Sequence, residues 1–282
     1  MILYQAAFFC LEYCMYWVNG VVTDSLPLTD RSIQYGDGSF TTMKVERGRV
    51  RLWDLHLARL KEASKRLDIK IEDWLLLETQ IESCAHELQD GGIKILISRG
   101  SGGRGYSPEG CHDTQIIVST FSYPTYYQNW KEGGISLMLC ETQLGLSPLL
   151  AGMKHTNRLE QVLIKKEIAK TTYLDGVVLD LNNKVIETSI GNIFWVKGDN
   201  IYTPNLSNSG VEGVMKAHIY ALANLHGLTL FETSIYVDEL CMADEVFISN
   251  SLFEIVPINA IGNTTFDSHK LSHWFQEKLY SC

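Results

Sequence analysis

Short hairpin turns recur between helical stretches in this chain, and they constrain its fold more than any other feature. Asn19-Gly20 separates Met15 to Val18 from Val21-Val22, and Arg47-Gly48, Asn182-Asn183 and Gly198-Asp199 punctuate three further apolar pairs. Such residue pairs accept the backbone angles of a tight turn, and a tight turn returns a strand antiparallel to its neighbour. A doubly wound parallel sheet needs a helix between successive strands instead. Helices mixed with hairpins predict an α+β fold.

Asp54 reads as a helix N-cap, followed by Leu57, Leu60, Ala63 and Leu67 on one face. A second helix is expected over residues 73–89, stopped by Gly91-Gly92, with strands over 93–98 and 115–121. The aromatic stretch from Tyr123 to Trp130 breaks the pattern and reads as an inter-domain linker. The expected division is an N-terminal extension (1–14), a smaller α+β domain (15–122), a linker (123–131) and a larger α+β domain (132–282). In the larger domain, strands are expected over 135–140, 176–180, 185–187, 193–196, 200–202, 229–233 and 245–249. Helices are expected over 156–171 and from Val214 onward.

The apolar content of 45% fits a globular protein with a core. A net charge of −9 without a long basic run argues against nucleic acid or a membrane surface as partner. The seven cysteines are widely spaced and form no Cys-x-x-Cys, so neither a zinc site nor a disulfide framework is readable, and a reducing cytosol is expected. No apolar run has the length of a membrane span. Residues 1–14 are apolar without the basic start of a secretory signal, and Met15 is expected to be the natural start.

Lys154 is the main candidate for chemistry. The small stretch Ser147 to Gly152 delivers it just before a helical run in which Leu159, Val162 and Leu163 recur at i, i+3 and i+4. A lysine held against packed structure loses water, drops its pKa and becomes an amine nucleophile toward aldehydes. Gly210 and Gly213 open a helix at Val214-Met215, where amides and helix dipole suit an anion. Glu187 ends a strand in apolar surroundings, where a carboxylate can hold a protonated ring nitrogen, and Arg59 on the first long helix can neutralise a phosphate. Each alone is an ordinary surface feature. Together they are the parts of a pyridoxal phosphate site: a lysine for the aldehyde, an acid for the pyridine nitrogen and phosphate anchors.

Gly100-Ser101-Gly102-Gly103-Arg104-Gly105 matches G-x-G-x-x-G, yet Tyr106-Ser107-Pro108-Glu109-Gly110 follows where a dinucleotide fingerprint requires a helix. A hairpin loop presenting Arg99, Arg104 and Tyr106 to substrate carboxylates fits better, since the arginine fork matches two oxygens.

From about Met15 to Cys282 the chain resembles the fold-type IV pyridoxal phosphate family, which includes branched-chain and D-amino-acid aminotransferases and 4-amino-4-deoxychorismate lyases. The stretches Asp30-Arg31 with Tyr35 to Thr42, Ser98 to Ser107 and Lys154 to Ile164 look most like the lyases. The resemblance implies two α+β domains with pyridoxal 5′-phosphate in the cleft between them, and a homodimer. It implies that Lys154 takes the aldehyde and Glu187 pairs with the pyridine nitrogen. Arg59 and the backbone of Ser189-Ile190 and Val214-Met215 would hold the phosphate. Phe40, Thr41 and Thr42 follow Gly36-Asp37-Gly38, so the tyrosine of aminotransferase relatives is absent, and Thr42 is the expected proton donor to the leaving group. The implied activity is cleavage of the dicarboxylate 4-amino-4-deoxychorismate to 4-aminobenzoate and pyruvate for folate synthesis. The alternatives are an aminotransferase for D-amino or branched-chain acids and a binding protein that has lost the chemistry.

Overall fold

The computed structural model describes residues 15–280; the extension 1–14 lies outside them. The first half runs β1 (Tyr16–Val18), β2 (Val21–Val22), α1 (Arg31–Tyr35), β3 (Gly38–Glu46), β4 (Arg49–Val50), α2 (Trp53–Leu67), α3 (Trp74–Leu88), β5 (Gly91–Ser98) and β6 (Gln115–Phe121). It forms a six-stranded sheet in the order β2-β1-β6-β5-β3-β4, antiparallel throughout. Antiparallel strands alternate their side chains between faces. On β3 this sends Thr41, Met43 and Val45 into the core with Ile93, Ile95 and Ile97, and leaves Phe40 and Thr42 for the opposite face. Helices α2 and α3 supply Leu60, Leu77 and Ile81 to the same core.

The second half runs α4 (Tyr126–Gly133), β7 (Ile135–Leu139), α5 (Leu159–Ile168), β8 (Asp175–Leu179), β9 (Val185–Thr188), β10 (Asn192–Lys197), β11 (Asn200–Pro204), α6 (Val214–Leu225), β12 (Leu230–Thr233), α7 (Val237–Leu240), β13 (Glu245–Asn250), β14 (Glu254–Ile261), β15 (Thr264–Thr265) and α8 (Lys270–Lys278). Nine of these strands form a mixed sheet, ordered β12-β11-β10-β13-β14-β7-β8-β9 with β15 on β14. Its core joins Leu137, Val177, Ile193, Val246, Ile248 and Val256.

Several local expectations are corrected. Starting within the stretch read as a linker, Tyr126–Gly133 form helix α4, whose Tyr127 and Trp130 are buried with Phe253. Helix α2 is entered from Leu52 in the left-handed region, with Asp54 inside the first turn rather than at the cap. Helix α5 begins at Leu159 rather than Thr156, because Thr156 and Asn157 are tied to the carbonyls of Gly38 and Gly36 at the entry to β3. Its apolar stripe also differs from the expected packed face. Ile164 and Ile168 are buried, whereas Leu159, Val162 and Leu163 are 77%, 58% and 53% exposed.

Candidate active site

The site forms where the two sheets meet. The segment 154–156 lies along the start of β3, with the Phe40 amide donating to the Lys154 carbonyl (2.9 Å) and the Thr156 amide to the Gly38 carbonyl (3.0 Å). Arg158 tightens the same turn, donating from Nε to the His155 carbonyl and from Nη2 to the Met153 carbonyl, both at 2.8 Å. Lys154 is thus held by main chain on both sides while its side chain enters a cavity of about 230 Å³. Phe40, Thr42, Arg59, Tyr127, Arg158, Gln161, Glu187, the turn 188–192, Val211, Gly213-Val214 and the segment 249–252 complete the walls.

Lys154 Nζ stands 4.8 Å from the centre of the Phe40 ring. Burial pulls its pKa down to about 7, and the positive charges of Arg59, Arg158 and Lys94 add to the pull against Glu187. The conditions for a nucleophilic amine near neutral pH are present. Glu187 is buried on β9, and its Oε2 accepts the Val211 amide at 2.9 Å. Burial pushes its pKa up, opposed by that amide and by Arg158, Lys154 and Gln161.

The start of α6 presents backbone amides toward the cavity region. The first turn of a helix leaves amides without internal partners. The first intrahelical acceptor, the Gly213 carbonyl, serves Ala217, so the Val214 and Met215 amides stay open. A Cβ on residue 213 would lie 1.9 Å from Asn192 Oδ1, so only glycine permits this approach. The Met215 side chain is in the core behind, which confines this residue's part to its backbone. Arg59 lies beside this turn and donates to the Glu212 carbonyl. Burial lowers its pKa to about 10, with Glu212 opposing and Arg158 assisting.

The β9–β10 turn departs from expectation in one respect. The Ser189 amide donates to Asp175 Oδ1 at 3.1 Å and its hydroxyl donates to the same oxygen, so Ser189 is committed to a fully buried carboxylate. Ile190 lines the cavity, and its carbonyl accepts from Asn250 Nδ2 at 3.1 Å. The single-residue reading of Ser189 and Ile190 missed this split because Asp175 is 14 positions away.

Lys154, Thr42, Arg59, Glu187, Ser189, Ile190 and Val214 are therefore brought together at one cavity. Arg99, Arg104 and Tyr106 are not among its lining residues within one chain. Residues 99–114 form the expected loop between β5 and β6. Arg99 is spent internally, with Nε on Asp37 Oδ2 at 2.7 Å and Nη2 on the Leu67 carbonyl at 2.6 Å. Tyr106 is 87% exposed, and Arg104 is exposed.

Arg158, Gln161 and Asp175 were not singled out from sequence. Arg158 and Gln161 lie four and seven residues beyond Lys154, a spacing that puts both at the start of the following helix, and this signal was available. Among the described residues no group of acidic, histidine or cysteine side chains is arranged to hold a metal, and no helix is long and apolar enough to cross a membrane.

A family model for class IV amino-transferases matches residues 38–261. The aminodeoxychorismate lyase of Vibrio harveyi is 43% identical over 88% of this chain and 91% of its own length. The D-alanine aminotransferase of Bacillus licheniformis is 25% identical over 86% of each chain. The crystal structure of 4-amino-4-deoxychorismate lyase from Pseudomonas aeruginosa superposes with a TM-score of 0.90 at 36% identity, covering 94% of this chain and 98% of that one.

Proposed function

This chain belongs to the class IV amino-transferase family, and on that premise we propose that it is a pyridoxal 5′-phosphate-dependent lyase that converts 4-amino-4-deoxychorismate to 4-aminobenzoate and pyruvate. The residues fit the cofactor. Lys154 offers an amine made neutral near pH 7, Glu187 offers a buried carboxyl within the same cavity, and Gly213 leaves no Cβ over open amides beside Arg59. When bound, the cofactor supplies an electron-accepting ring joined to the substrate nitrogen.

The chain's own groups do the rest. Arg59 and the amides of Ile190, Val214 and Met215 would hold the phosphate, and Ser189 supports its turn through Asp175. Glu187 keeps a proton on the ring nitrogen. Lys154 takes the proton from the amine-bearing carbon, for which a pKa near 7 is well matched. Thr42 stands on the cavity wall two residues from Phe40, makes no side-chain hydrogen bond among the described residues, and gives a proton to the departing enolpyruvate oxygen. The single observation that carries the lyase reading is this wall: Phe40 and Thr42 from β3 line the cavity beside Lys154, and β3 contributes no tyrosine to it, the Tyr127 of the wall coming from α4.

We read the functional unit as a homodimer in the cytosol. The exposed stripe Leu159, Val162 and Leu163 and the 86% exposed Leu149 give an apolar face for a second copy. The substrate loop with Arg104 and Tyr106, absent from its own cavity wall, then reaches the cleft of that second copy. Arg104 is the proposed carboxylate partner. Arg99 is committed to Asp37 and acts by holding the loop's base. Among the described residues, Cys84, Cys111, Cys140 and Cys241 are free thiols.

The competing reading is amino transfer from D-amino or branched-chain acids. The purified protein with bound cofactor is expected to leave D-alanine and leucine unchanged in the presence of 2-oxoglutarate while consuming aminodeoxychorismate. Rapid glutamate formation would reverse the assignment.

A further inference from the structure

The loop between β5 and β6 is built around one buried guanidinium from another element. Arg31, 3% exposed at the start of α1, donates from Nε to Asp37 Oδ2 at 2.8 Å. Its Nη1 donates to the carbonyls of Gly105 (3.1 Å), Ser107 (3.2 Å) and Gly102 (3.4 Å), and its Nη2 to the carbonyl of Tyr106 (3.0 Å). The Tyr35 ring covers the guanidinium at 4.8 Å and meets Tyr106 edge-on at 5.5 Å. Four carbonyls of one loop converge on one cation. That is the reverse of a phosphate cradle, where amides converge on an anion. The glycines serve this curl: a Cβ on residue 103 would lie 2.1 Å from the Ser107 carbonyl oxygen and 3.0 Å from Arg31 Nη1.

We propose that Arg31 is a positioning residue for substrate recognition: by gathering the carbonyls of residues 102–107 onto its guanidinium, it fixes the path of the loop and the direction in which Arg104 and Tyr106 are presented. The proposal rests on the lyase reading only in naming the substrate carboxylate as what Arg104 meets. A planar fork with five N–H donors is required, because a single ammonium cannot address Asp37 on one side and four carbonyls on the other. The shared Asp37 carboxylate joins Arg31 to Arg99, so the loop's base at Arg99 and its curl at residues 102–107 are referred to one anion. The pair of arginines holds the Asp37 pKa below the usual carboxylate range against its burial.

The test uses Arg31→Lys and Gly103→Ala in the full-length protein with bound cofactor. Two measurements are made: the rate at which trypsin cuts after Arg104, followed by mass spectrometry, and the kinetic constants for aminodeoxychorismate. The expected result for both variants is a cut at least about tenfold faster and a KM raised about tenfold, with kcat within about twofold and unchanged cofactor affinity. A general loss of structure would instead lower kcat, cofactor affinity and thermal stability together. If Arg31→Lys does not fold, Gly103→Ala decides alone, since it disturbs the cage from the loop side. Wild-type cleavage and wild-type KM in the folded variants overturn the proposal. If the wild-type protein releases no 4-aminobenzoate, the lyase reading fails while the cleavage rate still decides the role of Arg31.

Discussion

Lys154 Nζ lies 4.8 Å from the centre of the Phe40 ring, and among the described residues no carboxylate forms an ion pair with it. Burial of the amine, with the positive charges of Arg59, Arg158 and Lys94 adding to it against Glu187, shifts its pKa down to about 7. Borohydride trapping of pyridoxal phosphate is therefore predicted to label Lys154 at neutral pH. Lys154→Ala should abolish the adduct. Peptide mapping that finds the label on Lys94 or Lys165 in the wild type would contradict the assignment.

The same shift has a stability consequence in the cofactor-free protein. Lysine in the unfolded chain keeps its ordinary pKa, so between about 7 and about 10.5 the unfolded state binds more protons. Stability contributed at this site is thus lowest below pH 7 and recovers as pH rises toward 10.5. Lys154→Met should lose that recovery. Urea unfolding of both proteins across the window checks the slope, and parallel slopes would show that the lysine is not depressed.

Glu187→Gln keeps an oxygen to accept the Val211 amide at 2.9 Å, so the variant should fold with little change. It cannot keep a proton on a ring nitrogen by charge. Cofactor affinity is predicted to weaken by about tenfold or more, and turnover to fall by several orders of magnitude, as expected when the electron-accepting ring loses its proton. Near-normal turnover with the cofactor bound would remove Glu187 from the mechanism.

Gly213→Ala places a Cβ against Asn192 Oδ1, which itself anchors the Val211 carbonyl through Nδ2 at 2.8 Å. The loop before α6 must shift, and the open amides with it. Titration by fluorescence should show pyridoxal phosphate binding weakened by about 1.5–3 kcal/mol, the range of a charged hydrogen bond. Unchanged affinity would place the phosphate elsewhere.

The two loop arginines should separate cleanly. Arg104→Ala is predicted to raise KM for aminodeoxychorismate by about one to two orders of magnitude, as loss of one charge-assisted contact implies, without affecting the melting temperature. Arg99→Ala removes the bonds to Asp37 and to the Leu67 and Asp68 carbonyls, and should destabilise the fold by about 2–3 kcal/mol. Equal KM in wild type and Arg104→Ala would leave the carboxylate partner on another residue.

Much of the scaffold was legible because its signals are local. The Asn19-Gly20 hairpin, the strand pattern of β3 and the helix start at Val214 follow from neighbouring residues, and each is found in the structure. Lys154, Glu187 and Gly213 were legible as candidates, and the fold brings them to one cavity. What was not legible depends on partners far away in sequence. The commitment of Ser189 to Asp175, and of Arg31 to the carbonyls of a loop some 70 residues on, has no periodic signature. Strand β14 and helix α8 were passed over, although Phe275 and Ile255 lie together in the core. The stripe on α5 shows the opposite failure: a correct helical period pointed to a face that one chain leaves exposed.

The most direct measurement follows product release from aminodeoxychorismate by the purified protein with pyridoxal phosphate and no keto acid present. The account predicts 4-aminobenzoate and pyruvate in equal amounts over many turnovers, and none from Lys154→Ala. Consumption of substrate only when a keto acid is supplied, or 4-aminobenzoate release undiminished in Lys154→Ala, would contradict it.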